Sequence, residues 1–551
     1  MSFIQTDTGG KGGIIKAKSS YLILLTLVAA LGGLLFGYDT AVVNGAEKSL
    51  VDFFIAAIQD GNKFETYAKP LISQFRLLLV IVLYVILVIM GGLFVQLFLR
   101  KKGLIISGIL FAILTVWAIS FLGNPIQNNP EWLKDSQDVI KGFVIASALI
   151  GCIIGGASAG FISRSIGRKG GLFVAAAMFI ISAVGSWKPE AFNFFGVLDV
   201  YSFVIYRIIG GIGVGIASMI SPMYIAEIAP ANQRGKLVSF NQFAIIFGML
   251  IIYFVNYFIA QQGNEEWLTH TGWRWMFFSG VIPSIIFFIL LFFVPETPRY
   301  LVLKGEDEKA LKVLGKISGE DTAPGILTEI KSTLVEKSAP WLSYGGLVIV
   351  IGVLLSVFQQ FVGINVVLYY AGNIFRNMGY DSNASLLQTI IVGAVNLLFT
   401  VVAIFTVDRF GRKPLMIIGS IGMAVAMLAL GFAFFSGNVG MFALFCMLLY
   451  IAAFALSWGP VCWVLLSEIF PNSIRGALSV AVAAQWIANW IVSLTFPMLN
   501  DNVWLTQKFN HGFAYWIYGI MAILSAIFIW KLVPETKGKS LEEIETIWKK
   551  K

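Results

Sequence analysis

The polar side chains that could do chemistry in this chain are few, and they stand inside long apolar stretches. Gln242 lies in one stretch, Gln359, Gln360, Asn365 and Tyr369 share another, and Asn396, Trp463, Gln485 and Trp486 follow in three more. An amide carries an acceptor oxygen and two donor hydrogens without net charge, so a group of amides suits a neutral, hydroxyl-rich ligand, and aromatic rings suit its apolar faces. Offsets of four to seven residues return to one helical stripe, which places Gln359 or Gln360 on a face with Asn365 and Tyr369. Any one of these amides alone reads equally well as an interhelical hydrogen bonder, worth about 0.6 kcal/mol. Asp39 and Arg207 offer a second kind of chemistry, as the only acid in the first stretch and a cation well inside a later one. A carboxylate inside a membrane helix costs about 2.5–3.5 kcal/mol on insertion scales and is a functional candidate by default. With Asp39 ionised an ion pair to Arg207 holds, and protonation removes the attraction. A static buried ion pair is the plainer alternative.

The elements that must position these groups follow from composition. Of 551 residues 58% are hydrophobic and 13% charged, about half the charge of an ordinary soluble chain. Uncharged runs long enough to span a bilayer recur throughout, so the chain reads as an all-α polytopic membrane protein. Spans of suitable length are predicted at 20–43, 72–99, 104–123, 140–163, 170–187, 200–224 and 237–260, then at 275–294, 343–372, 384–407, 414–435, 441–467, 476–498 and 512–532. That makes fourteen helices. Two histidines, His270 and His511, and three single cysteines, Cys152, Cys446 and Cys462, give no basis for a histidine-based triad, a metal site or a cofactor.

With the N-terminus in the cytoplasm, the inner loops and tails collect 28 of the 39 Lys and Arg residues. This positive-inside pattern accounts for the net charge of +9 without nucleic acid and puts both termini in the cytoplasm. The predicted organisation is a tail at 1–19, a half at 20–294, amphipathic linker helices at 295–342, a half at 343–533 and a tail at 534–551.

The two halves resemble each other. Glu227-Ile-Ala-Pro-Ala-Asn-Gln-Arg234 recurs as Glu468-Ile-Phe-Pro-Asn-Ser-Ile-Arg475, Ile166-Gly-Arg168-Lys169 as Phe410-Gly-Arg412-Lys413, and Pro295-Glu-Thr297 as Pro534-Glu-Thr536. Parallel six-helix repeats are a secondary-transporter architecture, with the ligand site between them near the midplane. Two other strings are discounted. Gly210 to Gly215 echoes a dinucleotide loop but lies inside a predicted span, and the small residues from Gly151 to Gly160 read as close helix packing.

These repeats, with Gly37-Tyr38-Asp39-Thr40, Gln359-Gln360-Phe-Val-Gly-Ile-Asn365, Gly459-Pro460-Val-Cys-Trp463 and Pro534-Glu-Thr-Lys-Gly538, resemble the sugar porters of the major facilitator superfamily, most of all its bacterial D-xylose:proton symporters. The resemblance implies two six-helix halves with alternating access, in the bacterial inner membrane. It implies sugar contacts at Gln242, Gln359, Gln360, Asn365, Asn396, Trp463 and Gln485, with Tyr369 and Trp486 weaker members. It makes Asp39 and Arg207 the proton-coupling pair, and Arg168, Glu227, Arg234, Asp408, Arg412, Glu468 and Arg475 a cytoplasmic latch that holds the outward-open state. Met249 stands where the xylose symporters have a glutamine, which leaves xylose only narrowly ahead of glucose. Helices 72–99 and 104–123 have no counterpart in the family and read as an inserted, lipid-facing hairpin. A uniporter and a membrane sugar sensor are the rival readings, and no oligomer is implied.

Overall fold

The computed structural model describes residues 19–98, 100–230, 233–333, 340–537 and 548. The tails expected at 1–19 and 534–551 fall outside them, save Ser19, residues 534–537 and Trp548. Among the described residues all regular structure is helical. This is the form a chain takes where no water can satisfy its backbone.

The first set of helices runs α1 (Ser19–Ala41), α2 (Val43–Phe54), α3 (Lys69–Leu97), α4 (Arg100–Gly123), α5 (Pro130–Ile145), α6 (Ser147–Ser165), α7 (Gly167–Trp187), α8 (Asp199–Ile228) and α9 (Arg234–Ala260). It closes with α10 (Glu265–Trp267), α11 (Trp273–Phe278) and α12 (Val281–Leu290). Three short helices follow over the expected linker: α13 (Pro298–Leu303), α14 (Asp307–Ser318) and α15 (Ala323–Thr333). The second set is α16 (Leu347–Phe361), α17 (Ile364–Tyr369), α18 (Ala371–Asn377), α19 (Ser382–Phe410), α20 (Arg412–Phe435) and α21 (Met441–Leu456). It continues through α22 (Trp458–Ile469), α23 (Leu478–Asn500), α24 (Val503–Phe509) and α25 (Gly512–Leu532). Fourteen of the resulting rods are long and apolar enough to cross a membrane, as the sequence predicts.

Several expected spans are not single helices. The stretch expected at 343–372 breaks at Gly363, whose φ of +93° needs glycine and where a Cβ would strike the Tyr518 ring at 2.7 Å. The stretch at 441–467 breaks at Ser457, with φ −129° and ψ −88°. The first span does not end at 43 but continues as α2 to Phe54. Interrupted helices free backbone groups in a membrane and are where transporters place their ligands.

The two discounted glycine strings explain each other. A Cβ on Gly151 or Gly155 of α6 would lie 2.0–2.2 Å from the carbonyl oxygens of Ile208 and Ile212, and one on Gly211 of α8 would lie 1.8 Å from the Ala148 oxygen. The helices touch backbone to backbone, which is the small-residue packing of membrane helices.

The inserted pair α3–α4 is fastened near one end. The Tyr201 hydroxyl donates to the Leu71 oxygen at 2.5 Å, the Leu198 N–H donates to Gln74 at 2.9 Å, and Arg76 donates to the Asn124 carbonyl oxygen. Most of its buried residues lie between Leu71 and Val82, whereas Val88 and Val116 are widely exposed.

Gly211→Ala is expected to lower the thermal unfolding midpoint in detergent by an amount matching overpacking of about 1–3 kcal/mol. Gly108→Ala in α4, where a Cβ meets nothing within 4 Å, is expected to leave it unchanged or raise it. Equal midpoints for the two variants would contradict the backbone contact.

Candidate functional site

Four of the expected ligand residues form one hydrogen-bonded chain at the α16–α17 break. Asn365 Nδ2 donates to Gln360 Oε1 at 2.5 Å, and Gln360 Nε2 donates to Gln359 Oε1 at 3.4 Å. Gln485 Nε2, from α23, donates to the same Gln359 oxygen at 2.5 Å, while Gln359 Nε2 donates to the carbonyl oxygen of Trp458 at 3.0 Å. That carbonyl sits at the second break, beside Ser457. Gln485 Oε1 and the indole N–H of Trp486 are buried without a partner. Such groups are costly unless a ligand completes them.

The other expected residues are less tightly joined. Trp486 packs across the gap between the helix sets, its ring centre 5.7 Å from that of Phe36. Asn396 is buried, Gln242 half-buried and Trp463 37% exposed, and none of the three enters the amide chain. Met249 is buried on α9 where that helix meets the glycine face of α1: a Cβ on Gly37 would lie 3.1 Å from the Met249 nitrogen.

Asp39 and Arg207 pair as expected. Arg207 Nη1 donates to Asp39 Oδ1 and Nη2 to the Asp39 main-chain oxygen, both at 2.8 Å, and the guanidinium lies 5.1 Å from the centre of the Phe277 ring. Tyr369, at the end of α17, reaches towards this pair. Its hydroxyl faces Thr40, next to Asp39, and Asn489 of α23. Thr40 and Asn489 were not legible as functional, because a lone threonine or asparagine in an apolar run reads as helix packing.

A buried charge cluster that the sequence did not disclose joins the two helix sets at the end of the bundle away from Ser19. Lys141 bridges Glu47 at 2.8 Å and Asp501 at 2.9 Å, and Glu47 also pairs with Arg376. Asn44 Nδ2 and the Tyr253 hydroxyl both donate to the Leu368 oxygen at 3.0 Å. Read along the chain these charges stand in loops or at the edge of an expected span, and two of the three pairs, Glu47–Arg376 and Lys141–Asp501, join positions more than 300 apart.

At the opposite end the repeated motifs build one junction twice. Glu227 accepts from Arg168 at 2.8 Å and from Thr297 at 2.6 Å, while Glu296 accepts from the backbone N–H groups of Arg168 and Lys169 at the start of α7. In the second set Glu468 accepts from Arg412 at 2.9 Å and from Thr536 at 2.6 Å, and Glu535 accepts from the N–H groups of Arg412 and Lys413. Each carboxylate sits at a helix N-terminus, where the dipole favours it. Gly167 and Gly411, with φ of +87° and +94°, let it approach, for a Cβ there would lie 2.1 and 2.9 Å from its oxygen. Burial pushes the Glu296 carboxyl up, against the three N–H groups that hold it down. Glu227 thus pairs with Arg168 and not with Arg234, which has no ion pair among the described residues. The side chains of Asp408 and Arg475 lie outside the described residues.

Asp138 lies beside the buried cluster, held by Lys134 at 2.9 Å. Burial pushes its carboxyl up from 3.8 to about 6, against the pull of Lys134. The folded protein holds this proton more tightly than the unfolded chain, so its contribution to stability falls as pH rises from about 4 through about 6. Asp138→Asn is therefore expected to raise the unfolding midpoint relative to wild type at pH 7, with the gap narrowing by pH 4.5. A gap independent of pH would contradict the burial argument.

Similarity to known proteins places the chain in a family. The family described as "Sugar (and other) transporter" matches residues 25–121 and 114–548. The D-xylose-proton symporter of Escherichia coli K12 is 51% identical over 546 residues, covering 96% of each chain. The glucose facilitated diffusion protein of Zymomonas mobilis is 39% identical over 453 residues, covering 81% of this chain and 96% of the relative. The inward-open structure of the E. coli xylose transporter superposes with a TM-score of 0.74 at 48% identity, covering 96% of this chain and all of that one. A chain with these helices, this amide chain and this intramembrane ion pair belongs to the sugar transporter family, and its fold is that of the major facilitator transporters.

Proposed function

We propose that the chain is a proton-coupled monosaccharide symporter that favours D-xylose and works by alternating access between the segments 20–294 and 343–533. The observation that carries this reading is the Asp39–Arg207 pair, in which the guanidinium holds both Oδ1 and the main-chain oxygen of Asp39. Sugar hydroxyls would bond Gln359, Gln360, Asn365 and Gln485, with Gln242, Asn396, Trp463 and Trp486 completing the cleft and Tyr369 closing it. Protonation of Asp39 would cancel its attraction for Arg207 and free α1 to move against α8. The charge cluster of Glu47, Lys141, Arg376 and Asp501 would hold the outer face shut, a state in keeping with the inward-open relative. The junctions at Glu227 and Glu468 lie within one helix set each, so they would stiffen the halves, with Arg234, Asp408 and Arg475 left to latch them together. The protein would sit in the bacterial inner membrane with both termini in the cytoplasm.

A glucose or other hexose symporter is the second reading, and Met249 favours it. A thioether in place of an amide removes a hydroxyl partner and suits a bulkier ring. A passive uniporter would equilibrate sugar without using Asp39.

Uptake of labelled D-xylose into proteoliposomes tests the reading. Wild type is expected to accumulate sugar above the outside concentration under an inward proton gradient, and Asp39→Asn to equilibrate only. Equilibration by both proteins would make the chain a uniporter. Glucose taken up in preference to xylose would assign the specificity to Met249.

A further inference from the structure

Asp39 faces a small cavity, of which no wall comes from the helices of the amide chain. The cavity lies within the first helix set, between Tyr38 and Asp39 of α1, Phe179 and Ala183 of α7, and Gly280 and Ser284 at α12. Its volume is about 10 Å³, the centre space of about one water molecule. Arg207 occupies Asp39 Oδ1 and the main-chain oxygen, whereas Oδ2 is buried without a partner. Oδ2 is thus the oxygen left for the cavity.

Residue 280 makes the space. Gly280 has ordinary helical angles, φ −63° and ψ −17°, so backbone freedom does not require glycine. A Cβ there would lie 3.3 Å from the Phe277 main-chain oxygen and 3.7 Å from both Ala183 Cβ and a Tyr38 ring carbon, among residues that line the cavity. The surroundings can serve a water. The Ser284 hydroxyl donates to the Gly280 oxygen at 2.6 Å and keeps its lone pairs, and the Tyr38 hydroxyl is joined to Ser279 at 2.8 Å. Along α7, Ser182 and Ser186 are wholly buried hydroxyls without a partner, one turn apart, and Ser182 flanks Gly210 together with Asp39 Oδ1.

We propose that this cavity is a water site through which Asp39 Oδ2 is protonated, so that the proton and the sugar reach their binding groups from different sides of α1. A proton from solution reaches the cavity water, which becomes a hydronium ion. One of its O–H bonds breaks as the Oδ2–H bond forms, and a neutral water remains. The carboxylate loses its charge and Arg207 its counter-ion, while the amide chain stays free for sugar. Gly280 is then a positioning residue, since its missing side chain is what admits the water.

This inference rests on Asp39 being the coupling group, and the test separates the two. Gly280→Ala places a methyl where the water sits. Xylose counterflow, which needs no net proton movement, is expected at the wild-type rate, while gradient-driven uptake falls about tenfold, as for a lost hydrogen bond to a charged group. Gly280→Ser, which supplies a hydroxyl in place of the water, is expected to recover part of the driven uptake. Gradient-driven uptake at the wild-type rate in Gly280→Ala, with Asp39→Asn uncoupled, would overturn the water site and leave the symport reading intact. Absence of driven uptake in wild type would overturn the symport reading, and this inference with it. Should Gly280→Ala also lose counterflow, Ala183→Val narrows the same cavity from the opposite wall. Selective loss of driven uptake there supports the site, and full retention overturns it.

Discussion

A charge inside a bilayer persists only with a partner, and the distribution of such pairs orders this structure. Three groups of pairs stand at three levels. The duplicated carboxylate junctions brace each helix set at one end, the cluster around Lys141 joins the two sets at the other, and Asp39 with Arg207 sits between. Removing one partner from a buried pair costs about 3–5 kcal/mol, because the other is left uncompensated. Motion must therefore either carry a pair along intact or neutralise one member first. The end junctions suit the first course, since both partners belong to one rigid set. Asp39 suits the second, since a carboxylate can shed its charge by taking a proton and a guanidinium cannot.

The same economy governs the uncharged polar groups. The amide chain uses the two interrupted helices, at Gly363 and Ser457, as its foundation, and the Trp458 carbonyl at one break anchors Gln359 beside the other. Gln485 Oε1 and Trp486 Nε1, left without partners, are what a bound solute would complete.

How much of this was legible in the sequence depends on the range over which each signal acts. Helix number came from local apolar runs, and the Asp39–Arg207 pair from the rarity of charge within them. Helix interruptions were missed because Gly363 and Ser457 are unremarkable residues in apolar surroundings, and only the dihedral angles reveal the break. The three repeated motifs were visible as repeats, whereas the contacts each makes were not. Glu227 meets Arg168 from another helix and Thr297 from the far end of the half, where Glu296 caps the helix that Arg168 starts. The cluster of Glu47, Lys141, Arg376 and Asp501 was opaque for the same reason, as each member alone has the look of a charge in a loop or at the edge of a span.

The inserted hairpin has a mechanical consequence. It is fastened near the start of α3 and surrounded by apolar exposure beyond, so it is a cantilever. A mismatch between its apolar length and the thickness of the surrounding hydrocarbon is relieved by tilting about the fastened end, at a fraction of a kcal/mol per ångström. The hairpin can thus tilt with bilayer thickness while its fastened end stays against the start of α8.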